Sequence, residues 1–434
     1  MDLLPTYREG HAVSNSESER QSLSRAGALP VHDAEAALSL PVQLGFTAGP
    51  IDRSGPLNLE TVTSMQALES LREEYEHLNR VTGNGLPFAL HDWHLSWCRQ
   101  WLNCNPRVQD DLAIHVMRDH AGICAAIIPM LRSVRTLGPL RACSFNMLGP
   151  DPSLSEIHSS LVEPGFETAA AAAIQQHLAA TPDWDWVNWS GLSPGFAAAL
   201  EQHSELAWFE PQRGYLIDLP PSWEQLRGRL KRNIRESLRR CYNSLKREGL
   251  EFRLAVHTEG MEVAGALERF FELHALRAQL GGVSLHPDHF KSEGAREFLR
   301  DVCARLAARK IARVFELSIG GEVVASRIGF VVGHTLYMYY SGFKPSWARY
   351  SVTTTILAEA IKYAIACGLE TVDLSPGRIV SKTRWSPREV LYGHAVQFCG
   401  GRRSHWARLL YQLACGERLT LLAPLLSRFE RQGN

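Results

Sequence analysis

The chain has 434 residues, a length that fits two domains better than one. Hydrophobic residues make up 45% and charged residues 21%, which is the composition of an ordinary globular protein and excludes a fibrous or wholly disordered chain. Lysine plus arginine equals aspartate plus glutamate at 46 each, so only a local patch, and not the net charge, can attract an anionic partner, and DNA is not expected.

The nine cysteines are scattered along the chain and include no C-x-x-C pair. This spacing argues against a disulfide framework and fits a reducing compartment. Residues 1–21 lack the basic start and apolar run of a secretory signal, and no stretch reaches the roughly 18–20 apolar residues of a membrane helix. We therefore expect a cytoplasmic protein without a transmembrane segment.

Residues 1–56 are rich in serine, proline and glycine without a sustained period, which predicts a disordered tail. The next segment, 57–219, mixes helical and strand-like patterns and is predicted to form a first α+β domain. Its clearest feature is three tryptophans four residues apart, Trp93, Trp97 and Trp101, which share one helix face and are typical of a buried core. Strands are predicted at 112–117, 123–130, 145–148, 184–189 and 215–219, and helices at 166–178 and 196–203.

The second predicted domain, 220–400, opens with Ser222, a residue suited to begin a helix. The predicted helix carries apolar residues on one side and ends at Gly249. Its other side carries nine cations against one acid, Glu236, which suits either a solvated outer face or an anionic partner at residues 226–247. The cations are Arg227, Arg229, Lys231, Arg232, Arg235, Arg239, Arg240, Lys246 and Arg247.

The pattern then changes to period two. Segments 311–319 and 322–332 flank Gly320 and Gly321, which predicts a hairpin because glycine readily adopts positive φ. Around this hairpin we predict strands at 251–256, 335–341, 371–374 and 389–398, helices at 262–278, 293–308 and 351–367, and an amphipathic helical tail at 401–434.

One loop-to-helix junction suits an anion. A helix N-terminus offers unpaired backbone N–H groups and the positive end of the helix dipole, which together bind phosphate. Ser351 suits the N-cap position, Thr353 adds a hydroxyl in the first turn, and Arg349 adds a positive charge beside it. The same spacing is equally typical of an ordinary capped helix, so the pattern alone leaves both interpretations open.

Several segments in order resemble the acyltransferase domain of the GNAT superfamily, in the group similar to the cellulose-biosynthesis protein CelD. FELHALRA (271–278) resembles that group's helix ending in a His-x-x-Arg pair, and SKTRWSP (381–387) resembles its lysine motif. Between them, YYSGFKPSWARYSVTTTILAEAIKYAIACGLETVDLSPG is similar to its strand, phosphate loop, helix and Asp-containing strand. The N-terminal PFALHDWHLSWCRQW is similar to the opening of such proteins, so the resemblance covers most of 57–400.

The resemblance implies an α/β (α+β) fold of tandem GNAT-like domains, each a mixed central sheet flanked by helices. The C-terminal domain would bind acyl-CoA, with the strand 337–341 beside the pantetheine arm and no metal. Val352 and Thr353 stand where relatives often have Pro-Gly, and Ser381 stands where a tyrosine is common. The resemblance implies that the pyrophosphate contacts the backbone amides of Arg349, Tyr350, Ser351, Val352 and Thr353.

Acyl transfer needs a base for the nucleophile, an acid for the leaving thiolate and a dipole for the oxyanion. The candidate bases are His274 and Asp373, the candidate acid is Tyr339 or its neighbour Tyr340, and strand N–H groups would stabilise the oxyanion. Arg277 and Lys382 are predicted to bind substrate. A tyrosine in a central strand and a histidine on an apolar helix are also typical of plain packing, so both interpretations stay open.

The predicted function is transfer of an acyl group, most simply acetyl, from acyl-CoA to an amine or hydroxyl on a sugar or exopolysaccharide precursor. Two alternatives remain. One is an aminoacyl-tRNA-dependent transferase of the Fem type, which also has tandem GNAT domains. The other is a non-catalytic scaffold in polysaccharide biosynthesis. The loop histidines His286 and His289 lack a third ligand, so no metal site is predicted.

Overall fold

A computed structural model describes residues 55–104, 108–137, 140–151, 153–280, 286–401 and 403–415. The predicted tail 1–56, apart from its last two residues, lies outside the described residues, and so does 416–434 of the predicted C-terminal tail.

Helices and strands alternate along the described chain. The helices are α1 (Met65–Ser70), α2 (Arg72–Val81), α3 (His91–Trp101), α4 (Glu167–Ala180), α5 (Pro194–Glu201), α6 (Trp223–Arg229), α7 (Arg232–Arg247), α8 (Gly260–Ala278), α9 (Glu293–Ala308), α10 (Val352–Ala366), α11 (Val380–Thr383) and α12 (Arg403–Cys415). The strands are β1 (Asn58–Val62), β2 (Val108–Arg118), β3 (Cys124–Leu137), β4 (Leu140–Met147), β5 (Leu161–Val162), β6 (Trp186–Leu192), β7 (Ala207–Trp208), β8 (Gln212–Asp218), β9 (Phe252–His257), β10 (Ala312–Ile319), β11 (Glu322–Val332), β12 (Thr335–Phe343), β13 (Thr371–Asp373) and β14 (Arg388–Phe398).

The strands form one mixed sheet in which the two halves of the chain exchange strands. The order is β1-β2-β3-β4-β6-β14-β8-β13-β12-β11-β10-β9, with β5 beside β3 and β7 beside β14. Strand β8, early in the chain, pairs with β13, and β14, late in the chain, pairs with both β6 and β8. Each predicted domain therefore contributes a strand that pairs with strands of the other domain. The sheet is continuous across the predicted boundary at 219/220, and that boundary stays a prediction from the sequence.

The two halves of the sheet repeat one local arrangement. In the C-terminal half, β12 and β13 are parallel and pair over three residues each, 335–337 with 371–373. In the N-terminal half, β4 and β6 are also parallel and pair over 144–146 and 186–188. Beyond these short ladders, β12 continues to Phe343 and β6 to Leu192 without further pairing to β13 or β4, and this unpaired stretch is called the gap of each half.

A layer of helices shared by both halves forms the largest core. Helices α1, α2, α3, α8 and α9 pack side chains from β2 and β3 together with side chains from β10, β11 and β12. The predicted tryptophan core is confirmed, because Trp93 is 1% exposed and contacts Phe298 of α9 and Tyr339 of β12. Helices α4 and α5 cover the other face of the N-terminal half, and α6, α7 and α10 cover that of the C-terminal half.

Several predicted elements are confirmed, and one is wrong. The hairpin β10–β11 pairs in antiparallel register, and α10 ends before Gly368, whose φ of 70° closes the helix. The basic segment, in contrast, is two helices instead of one. Leu230 is buried with an extended ψ of 146°, so the chain turns between α6 and α7 to bury that side chain.

A glycine on β6 allows a very close approach between this strand and the backbone of the segment before β5. Gly191 has φ of 69°, and an added Cβ would lie 1.5 Å from the carbonyl oxygen of His158. We expect Gly191→Ala to lower the free energy of unfolding by more than the roughly 1–2 kcal/mol of left-handed strain, because backbone must also move. Urea unfolding measures the change. Gly249→Ala is the matched control, since Gly249 has φ of 66° with no atom within 4 Å of an added Cβ. Equal losses in the two variants would contradict the predicted close packing.

Candidate functional site

The start of α10 has an unusual backbone. A 3₁₀ turn at Pro345–Tyr350 leads to Ser351, which has φ of 54° and ψ of 42° in the left-handed region. Ser351 occupies the predicted N-cap position, but its side chain makes no capping hydrogen bond, because such a bond needs an extended backbone at that residue. Its carbonyl instead accepts hydrogen bonds from the N–H groups of Thr354 and Thr355. The amides of Val352 and Thr353 have no intrahelical acceptor by helix geometry.

The predicted phosphate-loop cation is tied to the end of α7. The Arg349 guanidinium lies over the Tyr350 ring at 4.6 Å and 3.4 Å from a carboxylate oxygen of Glu248. The Tyr350 hydroxyl also donates to Glu248. Arg349 is 71% exposed at its side chain, so this ion pair is weak and leaves the cation near the start of α10.

A β-bulge in β12, on its β11 side, lies next to the gap between β12 and β13. The last paired residues of the two strands are Tyr337 and Asp373. On the other side of β12, the register with β11 shifts so that Tyr339 and Tyr340 together face the single residue Ile328. Neither tyrosine is part of a regular ladder on either side, so their backbone groups border the gap.

A buried carboxyl and a lysine lie at the mouth of this gap. Asp373 is 2% exposed, and one of its oxygens accepts a hydrogen bond of 2.8 Å from the Ser375 N–H. Burial raises the pKa of Asp373 to about 7. Lys382 of α11 donates to the Ser375 hydroxyl at 2.8 Å and to the Pro376 carbonyl. Burial lowers the pKa of Lys382 to about 8, so both groups titrate near neutral pH.

A second carboxyl enters from the N-terminal half. Glu156, in the segment between β4 and β5, accepts a hydrogen bond of 2.7 Å from the Tyr337 hydroxyl. Burial raises the pKa of Glu156 to about 7. Sequence reasoning missed this residue, because it lies in a loop without periodicity and 181 positions before its partner. No local signal could have found it.

Arg327 of β11 is the other residue that sequence reasoning missed. It is the only charged residue within the apolar run 323–332, and a lone charge in a central strand is a usable signal. Burial lowers the pKa of Arg327 to about 10, with a further lowering from Arg277. Arg327, Arg277, Glu156, Asp373 and Lys382 thus form one set of interacting charges, hereafter the charged cluster.

The predicted pair on α8 packs against the end of β12. An added Cβ at Gly342 would lie 2.3 Å from the backbone nitrogen of His274, which shows how closely helix and strand approach. His274 is buried, and its Nδ1 lies 3.1 Å from the Ser341 carbonyl oxygen, so this nitrogen carries the proton. Arg277 donates to the same carbonyl at 3.0 Å and to the Ser341 hydroxyl at 2.8 Å. Burial lowers the pKa of His274 and keeps the ring neutral.

The two predicted acid tyrosines hold the segment that carries Glu156. The Tyr339 hydroxyl donates to the Leu154 carbonyl at 2.7 Å, and the Tyr340 hydroxyl donates to the Ser153 carbonyl. Tyr339 is 3% exposed, and burial raises its pKa well above the usual range. Both hydroxyls are therefore engaged in joining the halves of the chain.

The structure brings some predicted residues together and separates others. Arg277, Asp373 and Lys382 come together in the charged cluster, whereas the Tyr339 ring lies in the core against Trp93 and Phe330. The loop residues from Arg349 to Thr353 lie where β12 leads into α10. A cavity of about 320 Å³ beside α11 contains none of the predicted catalytic residues. Its walls are formed by Tyr215, Lys231, Arg378, Thr383, Ser386, Pro387 and Glu389.

Comparison with known proteins agrees with this geometry. Residues 232–385 match the family model described as acetyltransferase (GNAT) domain, from α7 through the lysine motif. No curated protein sequence matches the chain. The structure is similar to that of FemX, with a TM-score of 0.55 and 10% identity over 82% of this chain and 99% of that one. At this identity the likeness shows the fold.

Two further solved structures are similar at lower scores. The C-terminal domain of a putative lysylphosphatidylglycerol synthetase from Agrobacterium fabrum has a TM-score of 0.45 and 13% identity, over 79% of this chain and 96% of that one. A tandem GNAT protein from the clavulanic acid biosynthesis pathway has a TM-score of 0.40 and 11% identity, over 79% and 99%. The predicted α/β fold of tandem GNAT-like halves is confirmed. Within the described ranges, no helix has the length and apolarity needed to cross a membrane.

The raised carboxyl pKa values predict how stability depends on pH. Between about pH 4 and 7 the folded chain retains a proton on Asp373 that the unfolded chain has lost, so stability falls as the pH rises through this window. One such group contributes at most about 1.4 kcal/mol per pH unit. We expect Asp373→Asn to reduce this slope, as measured by urea unfolding from pH 5 to 7. Asp218→Asn makes the same substitution at an exposed carboxylate and is the control for the substitution itself. A slope in Asp373→Asn equal to that of the wild type would refute the assignment.

Proposed function

We propose that the chain is a GNAT-type acyltransferase of the CelD-like group, which transfers an acyl group, most simply acetyl, from acyl-CoA to an amine or hydroxyl on a sugar or exopolysaccharide precursor. The observation that carries the proposal is the gap between β12 and β13, which ends at the buried Asp373 and is lined by a bulge of β12. The family match over 232–385 covers both strands and supports it.

The donor is proposed to bind between the start of α10 and the edge of β12. Ser351 adopts a left-handed backbone without being glycine, a conformation that is uncommon and often found at functional sites. The free amides of Val352 and Thr353, with Arg349 and Tyr350 beside them, suit a pyrophosphate. The pantetheine arm would then extend along β12, where the bulge leaves backbone groups free.

The acceptor is proposed to react at the charged cluster. Asp373 removes a proton from the acceptor amine or hydroxyl, whose heteroatom attacks the acyl carbon, and a backbone N–H of the bulge stabilises the oxyanion. As the carbon–sulfur bond breaks, Lys382 supplies a proton to the thiolate, since its pKa of about 8 keeps it protonated at neutral pH. Arg277 and Lys382 bind the acceptor, and His274 keeps its predicted place as a second candidate base. Lys382 takes the place of Tyr339, the predicted acid, because the Tyr339 hydroxyl donates to the Leu154 carbonyl and positions β12.

The N-terminal half is proposed to have lost its own donor site. Its gap between β4 and β6 is approached by the segment that contains His158, whose carbonyl oxygen lies against Gly191 of β6. Gln212 of β8 donates to the Glu156 carbonyl at 2.7 Å and holds the same segment. We therefore propose that domain 220–400 binds the donor and that domain 57–219 shapes its acceptor cleft. The protein is proposed to act in the cytoplasm.

The exposed face of the basic helices favours a second candidate. All nine cations predicted there are exposed, and among described residues only Arg232 has an ion-pair partner, Glu236. An anionic partner at 226–247 is proposed on this ground, and with the FemX-like fold it keeps an aminoacyl-tRNA-dependent transferase as the alternative. A non-catalytic scaffold is the third.

Donor binding is the first test. Acetyl-CoA at about 100 times its Kd should raise the free energy of unfolding by roughly 2.7 kcal/mol, read as a thermal shift. We expect Ser351→Asp to abolish the shift, because a carboxylate repels pyrophosphate and an aspartate tolerates the left-handed backbone. Ser292→Asp, at the N-cap of α9, should retain it. If no acyl-CoA stabilises the wild type while charged tRNA binds in a salt-dependent way, the Fem-type alternative is favoured.

Catalysis gives a second test. With acetyl-CoA and a panel of amino sugars, Asp373→Asn should lower kcat about 10²- to 10⁴-fold, the usual contribution of a general base. The wild-type rate should rise with pH through about 7, because only the ionised Asp373 accepts a proton. Asp218→Asn is again the control. Unchanged turnover in Asp373→Asn would remove Asp373 from the mechanism, and absence of turnover in the wild type would favour the scaffold.

A further inference from the structure

The charged cluster has an excess of positive charge that nothing in the described chain neutralises. Its three cations are Arg277, Arg327 and Lys382, and its two carboxyls, Glu156 and Asp373, both have pKa values of about 7 and are partly protonated at neutral pH. Among the described residues, none of the five groups forms an ion pair with another. The cluster is therefore electropositive when the acceptor cleft is empty.

Arg327 is the member whose hydrogen-bonding capacity is unused. Its Nε is buried and has no hydrogen-bond partner among the described residues, while the residue as a whole is half-buried. Arg277 differs, because it donates to both oxygens of Ser341 and also contacts His286. A buried N–H group without a partner costs stability, and proteins retain such a cost where a ligand uses the group.

Arg327 lies close to the bulge of β12 and to the other members of the charged cluster. Arg327 pairs with Ser341 across β11 and β12, next to the bulge at Tyr339 and Tyr340. Its electrostatic neighbours are Arg277 and Glu156, so it lies on the acceptor side of β12 with the residues proposed to act on the acceptor. A planar guanidinium beside a second one matches the two oxygens of a carboxylate or phosphate.

We propose that the acceptor carries an anionic group, a carboxylate or a phosphate, which Arg327 binds with Arg277. This inference rests on the proposed function for the identity of the cleft, but not on the donor. The anion supplies the hydrogen bonds that Arg327 lacks and offsets the repulsion between the two guanidinium groups. Arg327 is thus a specificity-determining residue that selects acidic acceptors, such as an acidic or phosphorylated amino sugar, over neutral ones.

The test measures anion binding without CoA. Thermal unfolding is followed with inorganic phosphate and, separately, with acetate, each against sodium chloride at equal ionic strength. We expect one or both anions to stabilise the wild type, and the stronger one identifies the chemistry of the acceptor group. Arg327→Met should weaken this anion binding at least tenfold. The same variant should unfold, in the absence of ligand, at a temperature equal to or above that of the wild type, because it removes a buried N–H group that has no partner among the described residues.

Two control variants exclude the other cationic surfaces. Arg235→Met makes the same chemical change on the exposed face of α7, and Ser351→Asp blocks the start of α10. Both should retain the anion-dependent stabilisation. The anion test contains no donor, so the two proposals fail separately. A protein that binds the anion but not CoA would overturn the proposed donor and leave this inference standing.

Three results would overturn the inference. The first is a wild type that neither anion stabilises. The second is an Arg327→Met variant that binds the anion as well as the wild type does. The third is an Arg327→Met variant that unfolds at a clearly lower temperature without ligand, since this would show that the guanidinium has a structural role.

Discussion

The arrangement of the site depends on three tyrosine hydroxyls that hold one loop of the N-terminal half against a strand of the C-terminal half. Tyr337, Tyr339 and Tyr340 of β12 bond to the segment 153–156, two of them at its backbone carbonyls and one at the carboxyl of Glu156. A bulge in β12 lets consecutive tyrosines serve the same loop, although side chains in a regular strand alternate between faces. The two bulge residues have no ladder partner in β11 or β13, so one irregularity both joins the halves and borders the candidate site.

Burial determines the chemistry available at that junction. Carboxyls in water are ionised at neutral pH and lysines are protonated well above it, so neither exchanges protons readily near pH 7. Burial moves Asp373 up to about 7 and Lys382 down to about 8, which brings a base and an acid into the same range. The same burial makes the unpaired Arg327 costly. The cluster therefore combines groups that suit proton transfer with a cation that suits an anionic ligand. These buried charges contribute less to the stability of the fold than apolar side chains in the same place would.

Local patterns in the sequence predicted the helices, strands and turns, but they could not predict contacts between distant segments. The Gly320–Gly321 turn, the helix α10 and the place of Asp373 at a strand end all follow from spacing over a few residues. The exchange of β8 and β14 could not be predicted in this way, because each strand has an ordinary pattern and only its pairing partner is unexpected. Glu156 could not be predicted for the same reason, since its hydrogen bond joins it to a residue 181 positions away. The left-handed backbone of Ser351 was missed because serine is also a common helix cap with an extended backbone.

The exchange of strands makes the two halves structurally dependent on each other, so they need not have two separate sites. With β14 between β6 and β8, neither half has a complete sheet of its own, so the repeated gap in the N-terminal half can be lost as a donor site without loss of its structural role. Close packing of the His158 carbonyl against Gly191 leaves no room for a side chain at that glycine. The segment that makes this contact also delivers Glu156 to the other half. The segment that packs against Gly191 thus also places a carboxyl beside β12, and the candidate site has walls from both halves of the chain.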